Sequence, residues 1–127
     1  MSNIRRARLL FIFLLMAGAL MADVTGRWSG SVVFNGQNGE KVSGTAILVL
    51  KQDGKALTGT AGPNDEAQKA ISEGKVEEGF IRFSVEAHPG FFMKFTLKQT
   101  GDEITGDINS EHDNQKVTAT VSVKREK

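Results

Sequence analysis

The two histidines and the acidic residues near them are the side chains of this sequence that offer the most chemistry. His112 lies inside the acidic segment 111–113, His88 lies on a second predicted loop, and Asp65 and Glu66 lie on a third. Imidazole nitrogens and carboxylate oxygens are ligands that a divalent cation accepts. Because these groups come from three separate loops with no spacing typical of a metal site, we expect neither a metal nor another cofactor.

Residue sets typical of catalysis are missing from the sequence. The chain contains no cysteine, which excludes a thiol nucleophile as well as disulfides. No serine stands in a G-x-S-x-G nucleophile elbow. The adjacent acids Glu77 and Glu78 fall at a predicted tight turn, where both carboxylates are expected to be solvated. We therefore expect a protein that is not an enzyme.

The segment His88-Pro89-Gly90-Phe91-Phe92 joins a turn signal to two aromatic residues. Strand alternation predicts that Phe91 points inward and that Phe92 points outward near the rim of the fold. An exposed phenylalanine beside such a turn can contact a partner or cover a cavity. The alternative is an isolated apolar residue on the surface, which is common in soluble proteins.

An internal repeat shows which elements position these side chains. Residues 50–60 and 97–107 share six of eleven positions at a constant offset of 47. Each copy has the pattern of a strand, a tight glycine turn and a second strand, which predicts two equivalent hairpins. Gly54 and Gly101 then occupy the same turn position and are expected to have positive φ angles.

Turn signals divide the chain after residue 22 into eight predicted strands. The fold class is all-β, and the expected architecture is an eight-stranded antiparallel up-and-down meander closed into a small barrel. A flattened β-sandwich is the alternative. The strands are expected at about residues 24–35, 41–52, 56–61, 70–77, 80–86, 91–99, 103–110 and 116–124.

Period-2 alternation assigns one apolar face and one face rich in threonine and lysine to this sheet. Several glycines fall on the apolar face, where we expect them to permit close packing around the large side chains; the alternative is that they create a ligand cavity. Residues such as Ser84, Thr58, Thr105 and Thr120 are assigned to the outer face. The main inward residues are Val24, Gly26, Trp28, Val32, Phe34, Ala46, Leu48, Leu50, Leu57, Ile81, Phe83, Val85, Phe91, Met93, Phe95, Leu97, Ile104, Ile108, Val117, Ala119, Val121 and Val123.

The predicted connections differ between the two ends of the meander. Tight turns at residues 53–55, 78–79 and 100–102 share one end, and longer polar loops share the other end. Binding residues concentrate on elaborate loops, although such loops can also be simple solvated connections. The candidate binding residues at the long-loop end are Asn35, Gln37, Asn64, His88, Phe92, His112 and Asn114.

Residues 1–22 have the pattern of a secretory signal peptide. Arg5, Arg6 and Arg8 precede an uncharged apolar run, and cleavage is expected after Ala22. The alternative is an uncleaved anchor, but the apolar run is short for a membrane span. A cysteine-free exported chain indicates a bacterial periplasmic or secreted protein, with residues 23–127 as a single domain and no membrane association after cleavage.

Removal of the signal peptide changes the charge of the protein. Thirteen lysines and arginines remain against 15 aspartates and glutamates, so the formal charge of residues 23–127 is −2. The basic residues do not cluster except at the C-terminal tail. The sequence therefore gives no electrostatic support for binding to nucleic acid.

The opening of the first strand, Gly26-Arg27-Trp28, resembles the G-x-W motif of the lipocalin and calycin barrels. The resemblance implies that Trp28 closes the base of a barrel and that a basic residue after the last strand, here Arg125, packs over it. The chain is also similar to small exported bacterial proteins with repeated L-K-Q-x-G-x-x-L-T-G-T hairpins, and this resemblance implies no particular activity. Avidin-like barrels and the bacterial barrel inhibitors of secreted metalloproteases share the same general plan, but those inhibitors carry a disulfide that this chain lacks.

Two functions follow from the sequence as expectations. The first is an exported, non-enzymatic barrel that binds a small apolar or amphipathic molecule, or a carbohydrate, at the long-loop end. The second is a protein-interaction module, such as a periplasmic inhibitor or an envelope accessory protein, which uses a patch around Phe92. An internal cavity favours the first function, and a solid core favours the second.

Overall fold

The computed structural model describes residues 23–36, 38–112 and 115–127, without the side chains of residues 111, 112 and 115. The predicted signal peptide therefore lies outside the described residues. All eight predicted strands are present, and each end agrees within two residues. The strands are β1 Gly26–Asn35, β2 Lys41–Asp53, β3 Ala56–Gly62, β4 Lys69–Glu77, β5 Phe80–His88, β6 Phe91–Thr100, β7 Glu103–His112 and β8 Gln115–Arg125.

The strands form a closed antiparallel barrel in chain order. Each strand pairs with its neighbours in the sequence, and β8 returns to pair with β1 from Trp28↔Arg125 to Asn35↔Thr118. This last pairing closes the ring and excludes the flattened sandwich. Closure also gives every strand a partner on both sides over most of its length, which protects the backbone from edge-to-edge association.

The predicted inner face forms the hydrophobic core of the barrel. Phe83 and Phe95 stack at the centre with 4.5 Å between ring centroids. Ser84 departs from the prediction, because it belongs to the outer face yet is buried beside the irregular pairing of β4 with β5. Phe91, expected inside, is only half-buried and stacks on His88 with 4.8 Å between ring centroids. The alternation rule therefore holds along the strands and weakens only near their ends and at β-bulges.

Trp28 and Arg125 close the tight-turn end of the barrel. The Trp28 side chain is fully buried, and its Nε1 donates a hydrogen bond to the carbonyl of Val24 at 3.0 Å. The Arg125 guanidinium carbon lies 4.3 Å from the centre of the indole ring, and Nη1 donates to the carbonyl of Thr25 at 2.6 Å. The cation therefore covers the aromatic face and also holds the N-terminal segment in place.

The repeat has the same structure in both copies. Gly54 and Gly101 have φ angles of 63° and 62°. Gln52 Nε2 donates to the carbonyl of Gly54 at 2.9 Å, and Gln99 Nε2 donates to the carbonyl of Gly101 at 3.2 Å. The copies differ at the other amide atom, since Gln52 Oε1 accepts from the N–H of Val24, whereas Gln99 Oε1 is buried without a partner in the described part of the chain. The N-terminal segment thus supplies a donor to the first copy alone.

The equivalence of the two turns leads to a prediction about stability. Gly54→Val and Gly101→Val should each destabilise the barrel by about 1–3 kcal/mol, because a β-branched residue is strained at positive φ. No other atom lies within 4 Å of the position of an added Cβ at either glycine, so strain is the sole expected cause. Thermal melts of the two variants check this, and a large loss in one with none in the other would contradict structural equivalence.

Candidate binding cavity

The rim of the barrel at the long-loop end is uneven. β2 has 13 residues, whereas β3 has only seven, and their pairing ends at Ile47↔Gly62. The β1–β2 hairpin therefore continues past the end of β3. Pro63 follows β3 directly and lacks the N–H that would extend the ladder. As a result, the wall of the barrel is shorter at β3 than at β2, and this end of the barrel is partly open.

An apolar cavity of about 220 Å³ lies inside the barrel at this opening. Its walls come from seven strands. On the side of the long loops, it is bordered by the half-buried side chains of Phe34 and Met93. Toward the tight-turn end, buried apolar side chains such as Leu50, Ile81 and Trp28 form the core. The sequence favoured close packing over a ligand cavity, and the structure departs from that expectation at the long-loop end. The residues that line the cavity are Val32, Phe34, Thr45, Ala46, Leu48, Ala61, Gly62, Pro63, Val85, Met93, Phe95, Ile108 and Val121.

The chemistry of the lining is apolar. Thr45 is the polar side chain among the lining residues, and its Oγ1 donates to the carbonyl of Pro63 at 2.5 Å. A cavity of this kind holds an apolar group by excluding water, and it offers little to a group that needs hydrogen bonds. Among the described residues that line it, none has an acidic or basic side chain, and the hydroxyl of Thr45 is bonded to Pro63.

The loop at residues 63–68 borders the cavity and is fixed by its own hydrogen bonds. Asn64 Oδ1 accepts from the backbone N–H groups of Glu66 and Ala67 at 3.0 and 2.9 Å. Arg27 Nη1 lies 2.7 Å from Asp65 Oδ1, and the hydrogen bond from the guanidinium lowers the pKa of the carboxyl. The side-chain oxygen of Asn64 is thus engaged within the loop and shapes the rim.

Three other predicted site residues lie outside the cavity. Asn35 is on the outer wall, where its Nδ2 donates to Thr118 Oγ1 at 3.1 Å. His88 stacks on the neighbouring Phe91 at the β5–β6 turn and is exposed. The Phe92 side chain is 45% exposed and borders a shallow outer groove with Lys94 and other residues of β6, β7 and β8. These residues do not form one site.

The remaining predicted residues lie beyond the description. Gln37 and Asn114 are outside the described residues, and His112 ends β7 with its side chain outside the description. The sequence assigned the residues that line the cavity to the core and not to a candidate site. Phe34 and Met93 are examples of such residues. Part of their signal was present, because Phe34 is the last inward-facing position of β1 before a long loop and Met93 is the second inward-facing position of β6 after one.

A second concavity, of about 950 Å³, lies between the tight turns at the opposite end. It is larger, but most of its lining residues are charged or polar, and they include Lys55, Glu77, Glu78 and Asp102. Glu77 and Glu78 are exposed, as the sequence predicts. The smaller cavity is the better candidate for a ligand site, because its lining is almost entirely apolar and ligand pockets are typically lined by apolar side chains.

The described residues contain neither a cluster of metal ligands nor a helix typical of a membrane span. Within residues 23–36, 38–112 and 115–127, no group of three or more histidine, cysteine or acidic side chains is arranged to hold a metal ion. In the same part of the chain, no helix is long and apolar enough to cross a membrane.

No protein-family model, no curated protein and no solved structure matches this chain. The structure itself is an eight-stranded antiparallel closed β-barrel, which is compatible with a lipocalin-like or calycin-like fold.

Proposed function

We propose that this protein is a non-enzymatic binding barrel that takes one small apolar molecule into the cavity at the long-loop end. The observation that carries the proposal is the cavity itself, about 220 Å³ in volume and lined almost entirely by carbon. A dry apolar cavity of about 150 Å³ is sufficient to bind benzene. The expected ligand is therefore a single ring or a short alkyl group, either free or as part of a larger amphipathic molecule.

The lining favours an apolar ligand over a carbohydrate. A sugar carries many hydroxyl groups, and each hydroxyl buried without a partner costs about 1–3 kcal/mol. Thr45 Oγ1 already donates to Pro63, so the lining offers few hydrogen bonds to a sugar. A carbohydrate would fit better on the outer wall than in this cavity.

The lipocalin and calycin barrels are the family that the proposal favours. The stack of Arg125 over Trp28 at the closed end supports it, because that pair has the roles that the resemblance implies for a tryptophan and a basic residue. The pattern of residues 1–22 supports export to the periplasm or the medium, with Asp23 as the first residue of the mature protein. A periplasmic location would bring the cavity into contact with small apolar molecules that enter the cell envelope.

The proposal predicts that toluene binds to the purified protein and that Ala46→Leu weakens this binding by at least about tenfold, because the longer side chain occupies part of the cavity. Ala46 lies on its wall and is buried. Toluene binding can be measured from NMR shifts of the methyl groups of Met93, Ile108 and Val121. The converse variant Met93→Ala should admit the larger naphthalene more tightly.

Phe92→Ala is the matched control, because Phe92 is apolar and near the same end but lies outside the cavity. It should bind toluene as the unmodified protein does. Loss of binding in Phe92→Ala with none in Ala46→Leu would place the ligand in the outer groove and overturn the proposal. Such a result would favour the second candidate function, protein interaction through the exposed Phe92 side chain.

A further inference from the structure

Residues 41–44, at the start of β2 beside the long loops, form a sheet edge that has no partner strand in the described part of the chain. β1 pairs with β2 along this segment, but β3 ends before reaching it. The loop at 63–68 covers only the next part of the edge, where Gln68 Nε2 donates to the carbonyl of Ile47 and Thr45 donates to a loop carbonyl. Beyond Thr45, the edge is open beside the mouth of the cavity.

The register shows which backbone groups this edge presents. Asp53 and Ala56 flank a two-residue turn, so they form a hydrogen-bonded pair. Every second residue of β2 counted from Asp53 therefore directs its N–H and C=O toward the β3 side. The alternation reaches Ser43 and Lys41, whose backbone groups face the open side. The groups of the residues between them face β1.

The inner face beside this edge has room for a side chain. Val42 is 60% exposed, although it lies on the same face as the buried residues of β2. At Gly44, an added Cβ would meet only Val32 Cγ1, at an ordinary contact distance of 3.8 Å. A side chain that enters from a neighbouring strand opposite Gly44 would thus pass between Val42 and Ala46 into the cavity.

We propose that an extended peptide segment adds to the edge of β2 at residues 41–44 and inserts one apolar side chain into the cavity. Such strand addition combines main-chain hydrogen bonds, which give affinity, with a side-chain pocket, which gives specificity. The peptide runs antiparallel to β2 and places the inserted residue opposite Gly44. This inference rests on the proposed function, because the same cavity receives the apolar group.

The probe is the acetylated and amidated peptide Phe-Thr-Val-Lys, which places its phenylalanine opposite Gly44 on the inward face and runs along residues 43–41, short of the pairing of Ile47 with Gly62. With the peptide at saturation, the Ser43 amide should exchange with solvent at least about tenfold more slowly, since it gains a hydrogen bond. The Gly44 amide should change little, because it already bonds to β1. Replacing the phenylalanine of the peptide by alanine should weaken binding by at least about tenfold.

Two changes test the backbone contribution separately. Methylation of the backbone nitrogens of the peptide's threonine and lysine removes the donors that face Ser43 and Lys41 and keeps every side chain, so its binding should weaken by at least about tenfold. Ser43→Pro removes the outward N–H on the protein side, at an edge position that accepts proline. This variant should lose peptide binding and keep toluene binding, while Ser43→Thr should keep both.

The outcomes separate this inference from the proposed function. Toluene binding without slower exchange at Ser43 overturns the inference and leaves the proposed function intact, whereas failure of both ligands overturns both. Equal binding of the methylated peptide shows that the side chain alone is recognised, which also overturns strand addition. Protection of the Ser43 amide could also increase with protein concentration when no peptide is present. That result would identify a second copy of the chain as the occupant and overturn the peptide assignment.

Discussion

Trp28→Ala should destabilise the barrel by about 3–5 kcal/mol, the usual range for loss of a large buried aromatic side chain. Stabilities of small domains are about 5–15 kcal/mol, so this change removes a large part of the total. The reason is geometric, since Trp28 is fully buried, donates to the carbonyl of Val24 and carries the Arg125 guanidinium on its ring. Its removal would leave a void at the closed end of the barrel, and the Arg125 guanidinium would lose the aromatic ring on which it stacks.

Urea denaturation monitored by circular dichroism measures the effect. Phe80→Ala is the matched control, because Phe80 is aromatic and 43% exposed, and the Lys98 ammonium lies 5.7 Å from the centre of its ring. Its loss should cost at most about 1 kcal/mol. Trp28 is the only tryptophan and the chain has no tyrosine, so the native protein should show blue-shifted fluorescence from a single site. Emission typical of solvent-exposed indole would contradict the burial of Trp28.

The fold could be predicted from the sequence because its information is local. Turn glycines, β-branched runs and period-2 alternation each act over a few residues, and all of them favour the same eight strands. The repeat added a further constraint, since two copies with the same turn chemistry must form equivalent hairpins. The rule failed where local pattern loses to irregular pairing, as at Ser84 beside the bulged β4 and at Phe91 next to the bulge at the end of β5.

The candidate site could be predicted only in position. Loop asymmetry indicated the end of the barrel at which the apolar cavity lies, but the predicted polar residues Asn35, at the end of β1, and Asn64, in a loop, are hydrogen-bonded within the barrel. The cavity depends on how far each strand extends past its neighbour, which alternation within a single strand does not reveal. The sequence predicted a short β3, which Pro63 follows, but it did not show that a cavity lies inside the barrel beside Phe34 and Met93.

Gly59→Ala and Gly106→Ala should each destabilise the barrel by about 2–5 kcal/mol, which combines backbone strain with overpacking. A Cβ at Gly59 would lie 2.0 Å from the carbonyl oxygen of Val49, and one at Gly106 would lie 2.2 Å from that of Thr96. Both obstacles are backbone atoms of the adjacent strand and cannot move without breaking the ladder. The sequence placed these glycines inside to make room for large side chains, whereas the structure shows that they permit close approach of neighbouring strands.

The turn glycines of the same repeat provide the control. Gly54→Ala meets no atom within 4 Å, so it should cost only the strain of positive φ, about 1–2 kcal/mol. Denaturant titration of Gly54→Ala, Gly59→Ala, Gly101→Ala and Gly106→Ala would then show a larger loss for each strand glycine than for the turn glycine of its own copy. If all four losses were similar, positive φ alone would explain them, and close strand approach would not be the reason for glycine within the strands. A larger loss at Gly59 and Gly106 would instead show that close contact with the adjacent strand requires glycine at these two equivalent positions. Glycines within strands permit the sharp bends that a small closed barrel needs.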